Sequence, residues 1–233
     1  DADSPAVHAK QMINDILEVF SGEDFSTAFG ETLVMVSLTI LIGGIAGLAL
    51  GTLLYTTREN GVLSNKFVYT ILNILVNFVR PIPFIILIAA IGPLTRSVIG
   101  TTIGTEAAIF VMSIAATFGV ARIVEQNLVS IDPGVIEAAR AMGASPLQII
   151  VSVIIREALG PLILGFTFIF IAVVDVSAMA GYIGGGGLGD FAITYGYNAF
   201  NPTITLAGTI VIILIVQVAQ LLGNFLSKKI MRR

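Results

Sequence analysis

Cysteine is absent from this chain of 233 residues, and histidine occurs once, as His8. The lack of cysteine excludes disulfide bonds and thiolate metal sites, and the single histidine argues against a histidine metal site or histidine-based catalysis. Charged residues are also scarce, at 12%, against roughly 25% in soluble domains. With 56% hydrophobic residues and a mean hydropathy of +0.97, the composition predicts an all-α integral membrane protein.

Five apolar segments are each long enough to cross a bilayer, so five transmembrane helices are predicted within one domain at 29–233. They lie at about 31–56, 67–91, 105–126, 158–180 and 203–226. The first segment has a small-xxx-small glycine pattern, which favours close helix packing, although such glycines also fit any crowded bundle. The glycines are Gly43, Gly44, Gly47 and Gly51.

The distribution of Lys and Arg predicts the orientation of the chain. With five spans, nine cations fall on one side of the membrane, and only Lys10 and Arg96 fall on the other. The nine are Arg58, Lys66, Arg122, Arg140, Arg156, Lys228, Lys229, Arg232 and Arg233. The positive-inside rule therefore places the N-terminus outside and the C-terminus in the cytoplasm. Residues 1–28 form an acidic extracytoplasmic segment, either an amphipathic helix on the membrane surface or a fraying tail.

A short water-compatible segment between two apolar blocks has the pattern of a capped helix. Asp132 is a suitable N-cap, and Pro133 suits the first helical position. Alanines then favour helix, Gly143 can end it, and Pro146 resists its continuation. The predicted orientation places this helix in the cytoplasm.

This segment resembles the EAA loop of the permease subunits of bacterial ABC importers. Glu137, Ala138, Ala139 and Gly143 match the family pattern at its spacing, whereas Arg156 stands where proline is usual. The resemblance implies a loop at 127–157 that inserts into a separate ATPase subunit and transmits its closure to the membrane helices. The alternative is an ordinary interhelical helix. The implied coupling residues are Glu137, Ala138, Ala139, Arg140, Ala141, Met142 and Gly143.

Two charged residues lie well inside the apolar segments, at the depth of the middle of the membrane. Arg80 precedes a Pro81-Ile82-Pro83 sequence that should kink the second span, and Asp175 lies deep in the fourth. Charges at membrane depth usually face a cavity or a partner. Arg80 is predicted to lie beside a translocation path, or else to snorkel or pair for structural reasons. Asp175 either faces a wet cavity within reach of an Arg80, or is protonated and bonded to a backbone carbonyl.

Further segments are similar to the permeases of methionine ABC importers, over about residues 30–230. They are 78–87, 136–149, 176–179, 186–189 and 195–197. The resemblance implies type I importer architecture in a bacterial cell membrane, with a homodimer of this chain forming the pore for methionine. It further implies two cytoplasmic ATPases that bind ATP and Mg, and an extracytoplasmic methionine-binding protein. The chain itself is then a transporter subunit in the lipid bilayer, not an enzyme, with no cofactor or nucleic acid of its own.

The resemblance also implies a gate. It includes Met179, whose flexible thioether could seal the path, within the segment that begins at Ser177. Simple packing is the alternative role for Met179. Pro81 and Asp175 depart from the family pattern, and Asp175 bears most on the substrate. The glycine run at 184–187 lacks the ending of a phosphate-binding loop, so an external turn is expected, flexible or tightly folded.

Two other functions remain open. The same architecture could import another amino acid or a small organic solute, since Asp175 leaves the substrate undecided. An ion-driven secondary transporter would also use a buried carboxylate and an interrupted helix. Against it stand the Glu137 loop and the lack of a visible inverted repeat.

Overall fold

The computed structural model describes residues 5–231, which form helices joined by short connections. The first six are α1 (Pro5–Ser21), α2 (Glu23–Thr57), α3 (Lys66–Val79), α4 (Phe84–Ala90), α5 (Gly92–Ile99) and α6 (Thr105–Val129). The short helices α7 (Pro133–Ala141), α8 (Pro146–Gln148) and α9 (Ile155–Glu157) follow, with a π-helical segment at Ile149–Ile154. The chain ends with α10 (Leu159–Ala180), a 3₁₀ turn at Gly181–Ile183, α11 (Gly187–Asp190), a second π-helical segment at Phe191–Tyr197, and α12 (Pro202–Met231).

Four of these helices are long and apolar enough to span a membrane, namely α2, α6, α10 and α12. They cover the predicted first, third, fourth and fifth spans. The predicted second span is α3 together with α4, bent by 107°. Pro81 and Pro83 lie at the break, where each removes a backbone donor that a continuous helix would need. The two prolines thus interrupt the second span at the position that the sequence predicted.

Of the two alternatives for the N-terminal segment, a helix or a fraying tail, residues 5–21 form a helix, α1. The Gly22 N–H donates to the Val19 carbonyl at 3.2 Å where α1 ends, and α2 begins one residue later. Gly22 thus separates α1 from α2.

The chain divides into two compact units. Unit 1 comprises residues 1–38, 84–112 and 172–218, and unit 2 comprises 39–83, 113–171 and 219–233. Over the whole sequence, unit 1 holds two Lys or Arg and ten Asp or Glu residues. Unit 2 holds ten Lys or Arg and five Asp or Glu residues. The formal charges are therefore −8 and +5, which add to the −3 of the chain.

Within unit 2, α2 packs closely on α6 through its glycines. A Cβ atom built on Gly47 would lie 2.5 Å from the Cβ of Val120, and one on Gly51 would lie 2.7 Å from the Cβ of Val124. Real side chains do not approach so closely, so these two positions exclude any larger residue. The predicted close packing is confirmed. A buried apolar cluster of Leu54, Val76 and Ala121 extends the packing to α3.

Within unit 1, the core gathers around α11. Leu188 and Phe191 are buried with Ala28 of α2, and partly buried residues of α12 pack against them. The Phe25 ring lies 5.9 Å from the Phe191 ring in an edge-on arrangement. The segment after α10 is thus part of the core of this unit.

Candidate functional site

The helix predicted at 132–143 is present as α7, with the predicted caps. The Gly134 N–H donates to the Asp132 carboxylate at 2.8 Å, and Pro133 occupies the first turn. Gly143 has a φ of +81°, a left-handed conformation that glycine adopts without strain. Its N–H donates to the Arg140 carbonyl at 2.9 Å, and the next N–H donates to the Ala139 carbonyl at 3.1 Å. Local sequence therefore defined both ends of α7.

Pro146 has a different role from the one predicted. It does not merely resist continuation of α7, because it occupies the first turn of α8. Ser145 and Gln148 form a capping box around it, with the Ser145 N–H donating to the Gln148 side chain at 2.8 Å. The Ser-x-x-Gln pattern was visible in the sequence and is typical of a helix start. Arg156, which stands where proline is usual, is exposed on α9.

The exposure of α7 is divided between two faces. Ala139 is buried at 2% exposure. Val135, Ala138 and Met142 recur at helical spacing and are all exposed, Met142 at 81%. Ala141 is exposed as well. An exposed methionine beside bare alanines gives a flexible apolar surface that another protein can approach closely.

The other side of α7 faces a cleft of about 400 Å³ within unit 2. Arg140 donates to the Gly61 carbonyl at 3.2 Å and so fastens α7 to the connection between α2 and α3. Glu137 lines the same cleft with an exposed side chain. Although Glu137 and Arg140 are three residues apart on one helix, the Arg140 guanidinium has the Gly61 carbonyl as its partner. Arg58, also in the cleft, lies 4.2 Å above the Tyr55 ring.

The four candidate path residues lie at distinct places. Arg80 is exposed at the C-terminal end of α3, and Asp175 is exposed on α10. Met179 is also exposed, at 41%, whereas Ser177 is buried and donates to the Val174 carbonyl at 2.7 Å. The Asp175 side chain is therefore not enclosed within a single copy of the chain, and its two predicted environments both stay predictions. The pairing of Asp175 with an Arg80 remains a prediction.

The sequence analysis did not identify a partly buried polar network in unit 2. Arg122, counted there only among the cations of one membrane side, lies on α6 and forms an ion pair with Glu125 at 2.5 Å. It also donates to the side-chain oxygens of Asn73, at 3.0 Å, and Asn77. The available signal was spacing, because Arg122 and Glu125 are three residues apart and the asparagines four apart, each pair on one helix face.

The glycine run at 184–187, for which the sequence allowed a flexible or a tightly folded turn, is tightly folded. The Gly187 N–H donates to the Glu31 carboxylate at 2.7 Å, and the Leu188 N–H donates to the Thr32 hydroxyl at 2.8 Å. The Thr105 hydroxyl donates to the Gly185 carbonyl at 3.0 Å. Within residues 5–231, no three histidine, aspartate or glutamate side chains are grouped closely enough to hold a metal ion.

Several known proteins are similar to this chain in sequence and in fold. Residues 40–232 match the family described as binding-protein-dependent transport system inner membrane component. The chain is 41% identical over 207 residues to the probable D-methionine transport system permease protein MetI of Vibrio cholerae, covering 89% of this chain and 92% of that protein. It is 39% identical to the methionine import system permease protein MetP of Bacillus subtilis, covering 78% of this chain and 82% of the other.

A solved structure of the MetNI methionine ABC transporter, in an inward-facing conformation, matches this fold with a TM-score of 0.86. The match has 38% sequence identity and covers 89% of this chain and 96% of the solved one. Together these similarities make the protein a multi-pass transporter subunit of the cell membrane. The chain belongs to the family of binding-protein-dependent transport system inner membrane components, together with the methionine permeases that it resembles.

Proposed function

We propose that this chain forms the translocation path of an ATP-driven methionine importer as a homodimer, and couples to a separate ATPase through Glu137–Gly143. The observation that carries the proposal is α7, which buries Ala139 and exposes Val135, Ala138 and Met142. A capped helix held on one side, with a small apolar face open on the other, is suited to dock in a groove of a partner. Methionine is proposed because the relatives are named as methionine permeases.

The charges of the two units support an orientation with the C-terminus in the cytoplasm and the N-terminus outside. Unit 2, which contains α7 and the C-terminal end of the chain, holds ten of the twelve Lys and Arg residues. Cytoplasmic segments of membrane proteins carry this excess of cations. In this orientation α3 and α4 together form the second of five spans, and α7 faces the compartment that holds ATP.

The mechanism follows from this placement. Two partner ATPases bind ATP and Mg, and no cofactor is bound by this chain. Closure of the ATPases displaces α7, whose caps keep it a rigid body, and the displacement reaches the membrane helices through its two ends. The exposed face of Val135, Ala138 and Met142 supplies the packed part of the contact, with Glu137 and Arg140 at its side. An extracytoplasmic methionine-binding protein delivers the substrate from the opposite side.

The translocation path is proposed to run beside Arg80, Asp175, Ser177 and Met179. Support comes from the break between α3 and α4, since interrupted helices in transporters line cavities rather than lipid. Met179 is proposed as part of the gate, since its thioether is exposed and flexible.

One observation favours a second candidate substrate. The exposed carboxylate of Asp175 on α10 would suit a solute other than methionine, carried by the same architecture. The same carboxylate and the broken span are also features of ion-driven transporters. The exposed α7 face has no evident role in an ion-driven transporter.

Uptake of methionine into proteoliposomes tests the function and the substrate together. The vesicles contain this chain with its co-purifying ATPase and binding protein, and the native chain is compared with Asp175→Gly. ATP-dependent uptake by the native chain is expected. If only the glycine variant transports methionine, Asp175 redirects the pore to another solute. Absence of uptake in both would contradict the methionine assignment.

Coupling is tested by replacing Glu137 with alanine and Gly143 with valine in one chain. Loss of the docking contact and of the α7 end should lower ATP-driven uptake by about tenfold or more. The ATPase should then no longer respond to the binding protein. Glu106→Ala, which removes an exposed glutamate outside the 127–157 loop, is the matched control and should retain uptake. Full coupling in the double variant would contradict the role of the loop.

A further inference from the structure

Arg122 of α6 has three side-chain partners on two helices. One guanidinium nitrogen contacts the Glu125 carboxylate at 2.5 Å, on its own helix. The other donates to the side-chain oxygens of Asn73, at 3.0 Å, and of Asn77, both on α3. The Asn77 amide in turn donates to the Asn73 oxygen at 3.1 Å. The planar guanidinium thus holds α6 and α3 together in a fork geometry that lysine cannot reproduce.

The charged half of the network is largely buried, which is costly for an ion pair, whereas Asn77 is exposed. The side chains of Arg122 and Glu125 are 16% and 8% exposed, within a helix apolar enough to span a membrane. Charged groups in such helices are rare and usually functional. The apolar cluster of Leu54, Val76 and Ala121 already packs α3 against α6. Since apolar contact alone could join these helices, the network calls for a separate role.

The two helices that the network joins lead to two parts of the proposed mechanism: α6 leads to α7, and α3 leads to the break in the second span. α6 ends at Val129, and the tight turn at 130–132 connects it directly to α7. In that turn, Ile131 is buried and its N–H donates to the Leu128 carbonyl at 3.3 Å. α3 ends beside Arg80, where the second span breaks.

We propose that Arg122 is a positioning residue that makes α3 move together with α6 when α7 is displaced. The guanidinium transmits the displacement sideways, from the helix attached to α7 to the helix that reaches the break. Glu125 orients the guanidinium, and the side-chain oxygens of Asn73 and Asn77 accept its hydrogen bonds on α3. This inference rests on the proposed function, because it assigns a route from the docking helix to the path.

The first test removes the α3 side of the network and leaves the ion pair intact. Asn73→Leu with Asn77→Leu should lower ATP-driven uptake by roughly 2- to 30-fold, the range expected for residues that modulate coupling. ATP hydrolysis should fall much less, so that more ATP is consumed per molecule transported. Arg122→Lys should have the same effect. Gln126→Leu, an exposed amide on α6, is the matched control and should leave both rates unchanged. Equal losses of uptake and hydrolysis would overturn the proposal.

The second test replaces the network by a covalent link. Because the chain has no cysteine, Asn77→Cys and Arg122→Cys introduce its only thiols, and Glu125→Gln avoids an unpaired buried carboxylate. A bifunctional methanethiosulfonate reagent should restore uptake, and dithiothreitol should abolish it again. A monofunctional reagent should restore nothing. Complete cross-linking within one chain, shown by mass spectrometry as one linker joining the two thiols of a monomer, without recovery of uptake would contradict the proposal.

Failure of the proposed function gives a distinct result. If the native chain shows no ATP-dependent methionine uptake, the proposed function fails before any variant is compared. If the native chain transports methionine and the cross-linked variant stays uncoupled, only the role of Arg122 fails.

Discussion

The glycine segment at 181–190 and the proposed docking segment at 130–145 both lie between long helices, but the hydrogen bonds of their backbone groups have different partners. In the glycine segment, backbone N–H groups are bound by Glu31 and Thr32, and Leu188 is fully buried. In the proposed docking segment, the caps of α7 are formed by neighbouring residues, and only Ala139 among residues 137–143 is buried. The first segment is structural core, whereas the second presents a surface.

The difference shows how glycine serves two purposes. Gly189 lies against Ala178, where a Cβ atom would come within 2.7 Å of the Ala178 carbonyl oxygen. Gly143 has open space around it, and glycine is favoured there by its φ of +81° alone. Substitution should therefore affect packing at the first and only local conformation at the second.

The largest effect is expected from Gly189→Ala, which would place a methyl group in the most tightly packed part of the glycine segment. The added methyl group must displace the backbone of α10, so the free energy of unfolding should fall by about 3 kcal/mol, as in overpacked cores. Unfolding in mixed micelles measures it. Gly143→Ala is the matched control and should cost only about 1 kcal/mol of backbone strain. Equal losses would mean that the two segments do not differ in packing.

A smaller loss is expected from Thr32→Val. The valine keeps the shape of the side chain but leaves the buried Leu188 N–H without its acceptor, so about 2 kcal/mol of the free energy of unfolding should be lost. Thr32→Ser retains the hydroxyl and should retain most of the stability. Thermal unfolding of the two variants side by side makes the measurement. An unchanged midpoint for valine would show that the glycine segment does not depend on this anchor.

The smallest effect on global stability is expected from Asp132→Ala, which removes the N-cap of α7. A lost cap costs about 1 kcal/mol, and because α7 is exposed, the loss should appear as local fraying. Hydrogen exchange should become faster at 133–142 while the long helices stay protected. Asp132→Asn can still accept from the Gly134 N–H and serves as the control. Uniformly faster exchange would show that α7 is part of the core after all.

The charged residues of the apolar segments give a second comparison. The sequence drew attention to Arg80 and Asp175 because they lie in apolar surroundings along the chain, and both are exposed. Arg122 and Glu125 are largely buried, although the sequence analysis counted Arg122 only among the cations of the cytoplasmic side. Hydropathy measures the neighbours along the chain, whereas burial depends on which helix face meets another helix. Asn73 and Asn77 could not be paired with Arg122 without that knowledge.

The sequence by itself determined the membrane class, the positions of the apolar helices, the break at Pro81 and Pro83, and both caps of α7. These features depend on local chemistry: apolar length, missing backbone donors, a side-chain acceptor at a helix start and a left-handed glycine at its end. Only the tertiary structure decided that the glycine run is held by Glu31 and Thr32, that Arg140 binds the Gly61 carbonyl, and that Arg122 joins α3 to α6. Each of those contacts joins residues far apart in the chain, and no local pattern specifies which distant partner a side chain meets.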